Sequence, residues 1–192
     1  MSKKTKRKQT QTKQLILLFL GMLGVVATAY LATRPQQTDV SADKKKATIW
    51  LEPKVLNLKQ GETGYLDIYI DSGSYDIMGV DAILRYDPQR IMITGYQYLK
   101  ALPYYPRMGN LVNHEAGYLQ ISALAYDTKT HSPTTPLRGI KRLARLPVKA
   151  LTNDSAQINF TFTLGSTNDT NLVDLVSQTD VASSATGAVV NP

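Results

Sequence analysis

From Ala47 onward the chain alternates apolar and polar side chains with a period of two, the pattern of strands that bury one face. Tyr65 to Ile70 sets Leu66, Ile68 and Ile70 on one side and Tyr65, Asp67 and Tyr69 on the other. Met78 to Tyr86 sets Met78, Val80, Ala82, Leu84 and Tyr86 against Gly79, Asp81, Ile83 and Arg85. Leu119, Ile121, Ala123 and Ala125 alternate with Gln120, Ser122 and Leu124, and Ala156, Ile158, Phe160, Phe162 and Leu164 alternate with Gln157, Asn159, Thr161 and Thr163. Turn-forming clusters separate these runs: Gln60-Gly61-Glu62, Asp71-Ser72-Gly73-Ser74, Asp87-Pro88-Gln89, Glu115-Ala116-Gly117 and Asn153-Asp154-Ser155. With no sustained helical stripe in this part, crossover-linked parallel sheets are not expected. The pattern predicts an all-β, antiparallel two-sheet sandwich of about nine strands. Pro147, inside the apolar run Leu143 to Ala150, predicts an edge position or a bulge, because proline cannot donate to a ladder.

The N-terminal fifth follows a different pattern. Leu15 to Ala32 is an unbroken run of eighteen uncharged residues, long enough at about 1.5 Å per residue to cross most of a hydrocarbon layer of ~30 Å. The expected organisation is a basic cytoplasmic tail over residues 1–14, a transmembrane signal-anchor helix over 15–33, a polar linker over 34–46 and the sandwich over 47–192. A cleaved secretory signal ending at Ala27-Thr28-Ala29 is the alternative, and the length of the apolar run favours the anchor. Either way the sandwich is expected outside the cell membrane, because the lysine-rich tail stays on the cytoplasmic side.

Charge changes the picture only when it is divided. The net charge is +7, yet residues 1–46 hold ten basic side chains against two acids, and the remainder holds twelve against thirteen. The basic excess therefore flanks the apolar run, and the near-neutral globular part has no field to attract nucleic acid. There is no cysteine and there are two histidines, His114 and His131, which removes thiolate chemistry and makes an imidazole metal site improbable.

Candidate chemistry is sparse. Asp67, Asp71, Asp76 and Asp81 are close in sequence, but they fall in turns or on exposed faces without the look of an acid–base pair, and no serine has a nucleophile-elbow context. An enzyme is not expected, and neither is a cofactor. The oxygen-rich stretch Ser166-Thr167-Asn168-Asp169-Thr170-Asn171 with Asp174 is a calcium candidate without EF-type spacing, and a capped polar turn is the competing reading. The best contact surface in the sequence is aromatic: Tyr96, Tyr98, Tyr104 and Tyr105, with Pro103, Pro106 and Arg107. Tyrosine and arginine anchor protein partners, and flat rings also carry sugars, although the same tyrosines can simply cover the end of the sandwich.

Some residues go beyond pattern. Gly61-Glu62-Thr63 opens a strand, and Ile77-Met78-Gly79-Val80-Asp81-Ala82-Ile83-Leu84-Arg85-Tyr86-Asp87-Pro88-Gln89-Arg90-Ile91 follows it. Then come Gly117 with the strand Tyr118 to Tyr126, Leu137-Arg138-Gly139 leading into Leu143 to Ala150, and a closing Gly187-Ala188-Val189-Val190. This succession, over about residues 47–191, resembles the cohesin family, with Gly79, Tyr86, Asp87 and Pro88 in its characteristic small-residue strand and strand end. The resemblance implies a nine-stranded sandwich and, in cellulosome-type systems, binding of a calcium-bearing dockerin module. The expected partner is thus a dockerin-like protein, with a polysaccharide as the alternative. For Asp87 and Pro88 themselves the local reading is a strand-ending turn.

Overall fold

In the computed structural model, residues 44–192 are described, and they contain strands and turns only. The expected tail and transmembrane helix, and the linker up to residue 43, lie outside the described residues. Among the described residues no helix is long and apolar enough to cross a membrane.

Fifteen segments form the fold. The first sheet runs β14 (Ala182–Thr186), β1 (Ala47–Glu52), β3 (Thr63–Asp71), β11 (Ile140–Ala150), β5 (Ile91–Ile93), with β6 (Gln97–Tyr98) also on β11. The second runs β2 (Val55–Asn57), β15 (Ala188–Asn191), β12 (Ala156–Phe160), β4 (Ile77–Tyr86), β8 (Tyr118–Leu124), β7 (Leu111–Asn113), with β13 (Asn171–Asp174) continuing along β4 beyond β12. A two-stranded ribbon, β9 (Tyr126–Asp127) with β10 (Ser132–Pro133), stands apart. Both sheets contribute to one core, in which Ile49, Leu66, Ile68 and Leu146 of the first meet Leu84, Leu119, Ile121 and Ile158 of the second. This is a β-sandwich.

The expected alternation holds where the strands are long. Leu66, Ile68 and Ile70 of β3 are fully buried, as are Leu119, Ile121 and Ala123 of β8. In β4 the inward set is Val80, Ala82, Leu84 and Tyr86, but the phase slips at the start of the strand: Ile77 is buried and Met78 only partly so. The cause is a bulge, because Val173 pairs with Gly79 and Asp174 with Ile77, leaving Met78 out of register.

Three expectations are corrected. The sheets are mixed rather than antiparallel, since β1 pairs with β14 and β2 with β15 in parallel. The first two and the last two strands run side by side, and each pair passes from the first sheet to the second; the later pass occurs at Gly187, where a Cβ would lie 2.1 Å from the Ile158 carbonyl oxygen. Only glycine fits so close an approach. Pro147 is not on an edge strand: β11 lies between β3 and β5/β6, and its bulge falls at Leu143. Pro147 sits opposite the gap between β5 and β6, so its missing N–H costs no bond on that side. Finally, β12 ends at Phe160, and Leu164 is exposed, because the chain leaves the sheet in a loop before returning as β13.

Candidate functional site

The tyrosine-rich stretch between β5 and β7 divides in two. Tyr96, Tyr98 and Tyr105 cluster on the β6 flank: the Tyr96 and Tyr98 hydroxyls are 3.0 Å apart, their rings meet edge to face at 4.9 Å, and Tyr98 lies 3.9 Å from Tyr105 between ring centres. Burial pushes the Tyr96 hydroxyl up, helped by its bond to Tyr98, and burial does the same at Tyr105. Beside Tyr98 and Tyr105 opens a cleft of about 650 Å³, completed by Lys100, Pro103, Thr134 and Thr135. Tyr104 points elsewhere: its backbone bridges Leu124 of β8 in both directions and its ring lies 6.1 Å from that of Tyr126. Arg107 is exposed on the loop between these groups and makes no ion pair among the described residues.

The strand-end motif has a local structural role. The Asp87 side chain accepts from the Gln89 N–H at 2.9 Å and its carbonyl accepts from Arg90 and Ile91, which closes the turn after β4. Tyr86 reaches into the core, and its N–H donates to the Gly117 carbonyl. A Cβ on Gly117, whose φ is +58°, would lie 2.0 Å from the Tyr86 carbonyl oxygen, so glycine is required there. Gly79, with Val173 and Leu124 as cross-strand neighbours, leaves room for the Leu124 side chain to lie over the sheet.

The clustered aspartates are each occupied. Asp67 is held by Arg145 through two bonds of 2.8 and 3.0 Å and by Arg142 at 3.0 Å. Burial pushes its carboxyl up, and the two guanidiniums outweigh this to hold it below the usual carboxylate range. Asp71 accepts from Lys45 and the Gly73 N–H, Asp76 from Arg138, and Asp81 from the Ser122 hydroxyl.

Each sheet therefore offers one outer face. On the first, register sets Trp50 beside Tyr69 and Tyr69 beside Arg142, and Glu52 beside Asp67 and Asp67 beside Arg145. Trp50 stacks on Tyr69 at 5.6 Å, its N–H donates to Glu52 at 2.8 Å, and Arg145 lies over Tyr65. This aromatic and arginine lattice was missed in the sequence, though a lone tryptophan at an outward position of an alternating strand was the available signal. On the second face, rows run Asn159, Arg85, Tyr118, Asn113; then Ile83, Gln120, Leu111; then Asn171, Asp81, Ser122; then Val173, Gly79, Leu124 with Tyr104 bridging. Here Leu111 is 52% exposed and Leu124 36%, and Met108 beside β7 is 92% exposed.

The arrangement defines a β-sandwich with two broad outer faces and a shallow aromatic cleft. Its fold is that of the cohesin domains. It matches the sixth cohesin of scaffoldin B from Acetivibrio cellulolyticus, solved in complex with a mutant Cel5 dockerin, at a TM-score of 0.58 and 14% identity over 76% of this chain and 98% of that one. It also matches the Coh-OlpC cohesin of Clostridium thermocellum, solved with a dockerin, at 0.57 and 13% over 76% and 92%. The cohesin CaCohA2 of Clostridium acetobutylicum matches at 0.56 and 14% over 76% and 91%. No family model matches the chain, and no curated protein matches it.

Proposed function

We propose that the chain is a cohesin-type binding module that holds a dockerin-like protein partner on the outer face of the second sheet. The observation that carries this reading is a group of exposed apolar side chains close together on one face. Leu111, Leu124 and Met108 stand open on and beside that face, with hydrogen-bonding groups of Gln120, Asn113 and Asn159 between and below them. Apolar anchors set among polar groups are the usual make-up of a protein interface. The cohesin domains of like fold that were solved with dockerins support the choice of partner. The N-terminal apolar run and its basic flank support a module tethered to the cell membrane and displayed outside it. The test is calorimetric titration of the full chain, in detergent micelles, with a panel of dockerin modules. A one-to-one complex with at least one of them is expected, and absence of heat across the panel contradicts the partner class.

A second reading, polysaccharide binding, is favoured by one feature, the cleft beside Tyr98 and Tyr105, where ring faces border Lys100, Thr134 and Thr135. Retention of the full chain on insoluble polysaccharide, lost in Tyr98→Ala and Tyr105→Ala, supports it; equal retention of these variants removes the cleft from consideration.

A further inference from the structure

The oxygen-rich segment between β12 and β13 is sorted by the structure into used and unused ligands. Asp174 is fully engaged: one carboxyl oxygen accepts from the Asp76 N–H at 3.1 Å, and the other accepts from the Ser177 N–H and hydroxyl at 2.9 and 3.0 Å. Thr170 is also engaged, bonding both the N–H and the carbonyl of Ile83. Asp169 and Asn171 are different. Each is only 6% exposed, and each keeps a side-chain oxygen, Oδ1, that is buried with no hydrogen-bond partner among the described residues. The other Asp169 oxygen accepts a single bond, from the Thr163 N–H at 2.6 Å, and Asp169 has no ion-pair partner among the described residues.

A buried carboxylate without a countercharge is costly, and a buried amide oxygen left unpaired adds to the cost. The two residues are tied together, because the Asn171 side-chain amide donates to the Asp169 main-chain carbonyl at 2.7 Å. Asn171 also stands directly opposite Asp81 in the β13–β4 ladder, which places their Cβ atoms about 5 Å apart. One Asp81 oxygen accepts from Ser122, and its carboxylate retains further acceptor capacity. Among the described residues no three carboxylate or imidazole groups converge on a point. A soft or transition metal therefore has no ligand set here, whereas two carboxylates, an amide oxygen, main-chain carbonyls and water are the ligands of a hard cation that accepts irregular geometry.

We infer that Asp169, Asn171 and Asp81 form a calcium site that pins the loop between β12 and β13 to strand β4. The ion neutralises Asp169 and occupies both unused oxygens. The site does not depend on the partner proposed above, and it carries no chemistry.

The test is titration of the full chain in detergent micelles, stripped with chelator, against CaCl2, with binding read by calorimetry and thermal unfolding followed in parallel. One site is expected, with a Kd on the order of 10⁻⁴ M, the range of weakly charged sites. At about a hundredfold excess the unfolding midpoint rises by about 5 to 10 °C, and chelator reverses it. Asp169→Asn and Asp81→Asn each weaken calcium binding about tenfold or more, whereas Asp174→Asn, which removes only a cap, leaves calcium affinity unchanged. If Asp169→Asn fails to fold, Asn171→Ala serves in its place. An unmoved midpoint and no heat at ~10 mM CaCl2, far above the expected Kd, or full affinity in Asp81→Asn and Asn171→Ala, overturns the inference.

Discussion

On the outer face of the first sheet, Trp50 rests on Tyr69, its N–H is spent on Glu52, and Arg142 and Arg145 close on one carboxylate, Asp67. On the outer face of the second, Leu111 of β7 and Leu124 of β8 are exposed, at 52% and 36%. By composition alone the first face is the better interface, since it holds tryptophan, tyrosine and arginine. By bonding it is the worse one, because a partner would have to compete with contacts its side chains already make. The comparison teaches that residue type marks a binding surface only when the side chains are left without partners of their own.

Breaking either side of this contrast has graded consequences. The largest effect is expected from the core that both faces share. Leu84→Ala on β4 removes a fully buried side chain and should cost about 2 to 5 kcal/mol, measured by denaturant unfolding. Next is Gly117→Ala, which sets a Cβ against the Tyr86 carbonyl at a positive φ; a loss of about 1 to 3 kcal/mol is expected, read the same way. A smaller effect is expected from Asp67→Asn on the first face. Losing this partly exposed double clamp should cost about 1 kcal/mol at neutral pH. Because the folded Asp67 carboxyl is held below its unfolded value, near 3.9, its contribution is fully present above that pH. It is lost as pH falls through the lower folded value, so the gap between wild type and Asp67→Asn should close in acid unfolding curves. The smallest effect on partner affinity is expected from Trp50→Ala, within about threefold by calorimetry, a difference under 1 kcal/mol.

The long strands could be read in the sequence because one face of each is buried and the other wetter: β3 follows the expected phase residue by residue, and β8 does so except at Ser122, which is buried on the outer side. What could not be read depends on neighbours distant in sequence. Parallel pairing of the first two strands with the last two, the slip at Met78 and the gap that accommodates Pro147 are all set by a partner strand rather than by the segment itself. The tyrosine stretch was visible as a group, but its division could not be, since Tyr104 is drawn away by a backbone bridge to Leu124, twenty residues on. Trp50 and Tyr69 stood at outward positions of alternating strands, yet only register shows that they meet. Likewise the run from Ser166 to Asn171 announced oxygen ligands, and only the hydrogen bonding separates the unused Asp169 and Asn171 from the capping Asp174, since all three are buried.

The central claim is that the partner binds the second sheet's outer face and not the first's. The most direct test compares two double variants of the full chain for affinity to the dockerin module that the wild type binds: Leu111→Glu with Leu124→Glu, and Trp50→Ala with Tyr69→Ala. Burying two carboxylates against a partner should lower affinity about a hundredfold or more for the first pair, while the second stays within about threefold of wild type. Unchanged affinity in the first pair with a large loss in the second would contradict the account and assign the interface to the aromatic and arginine face.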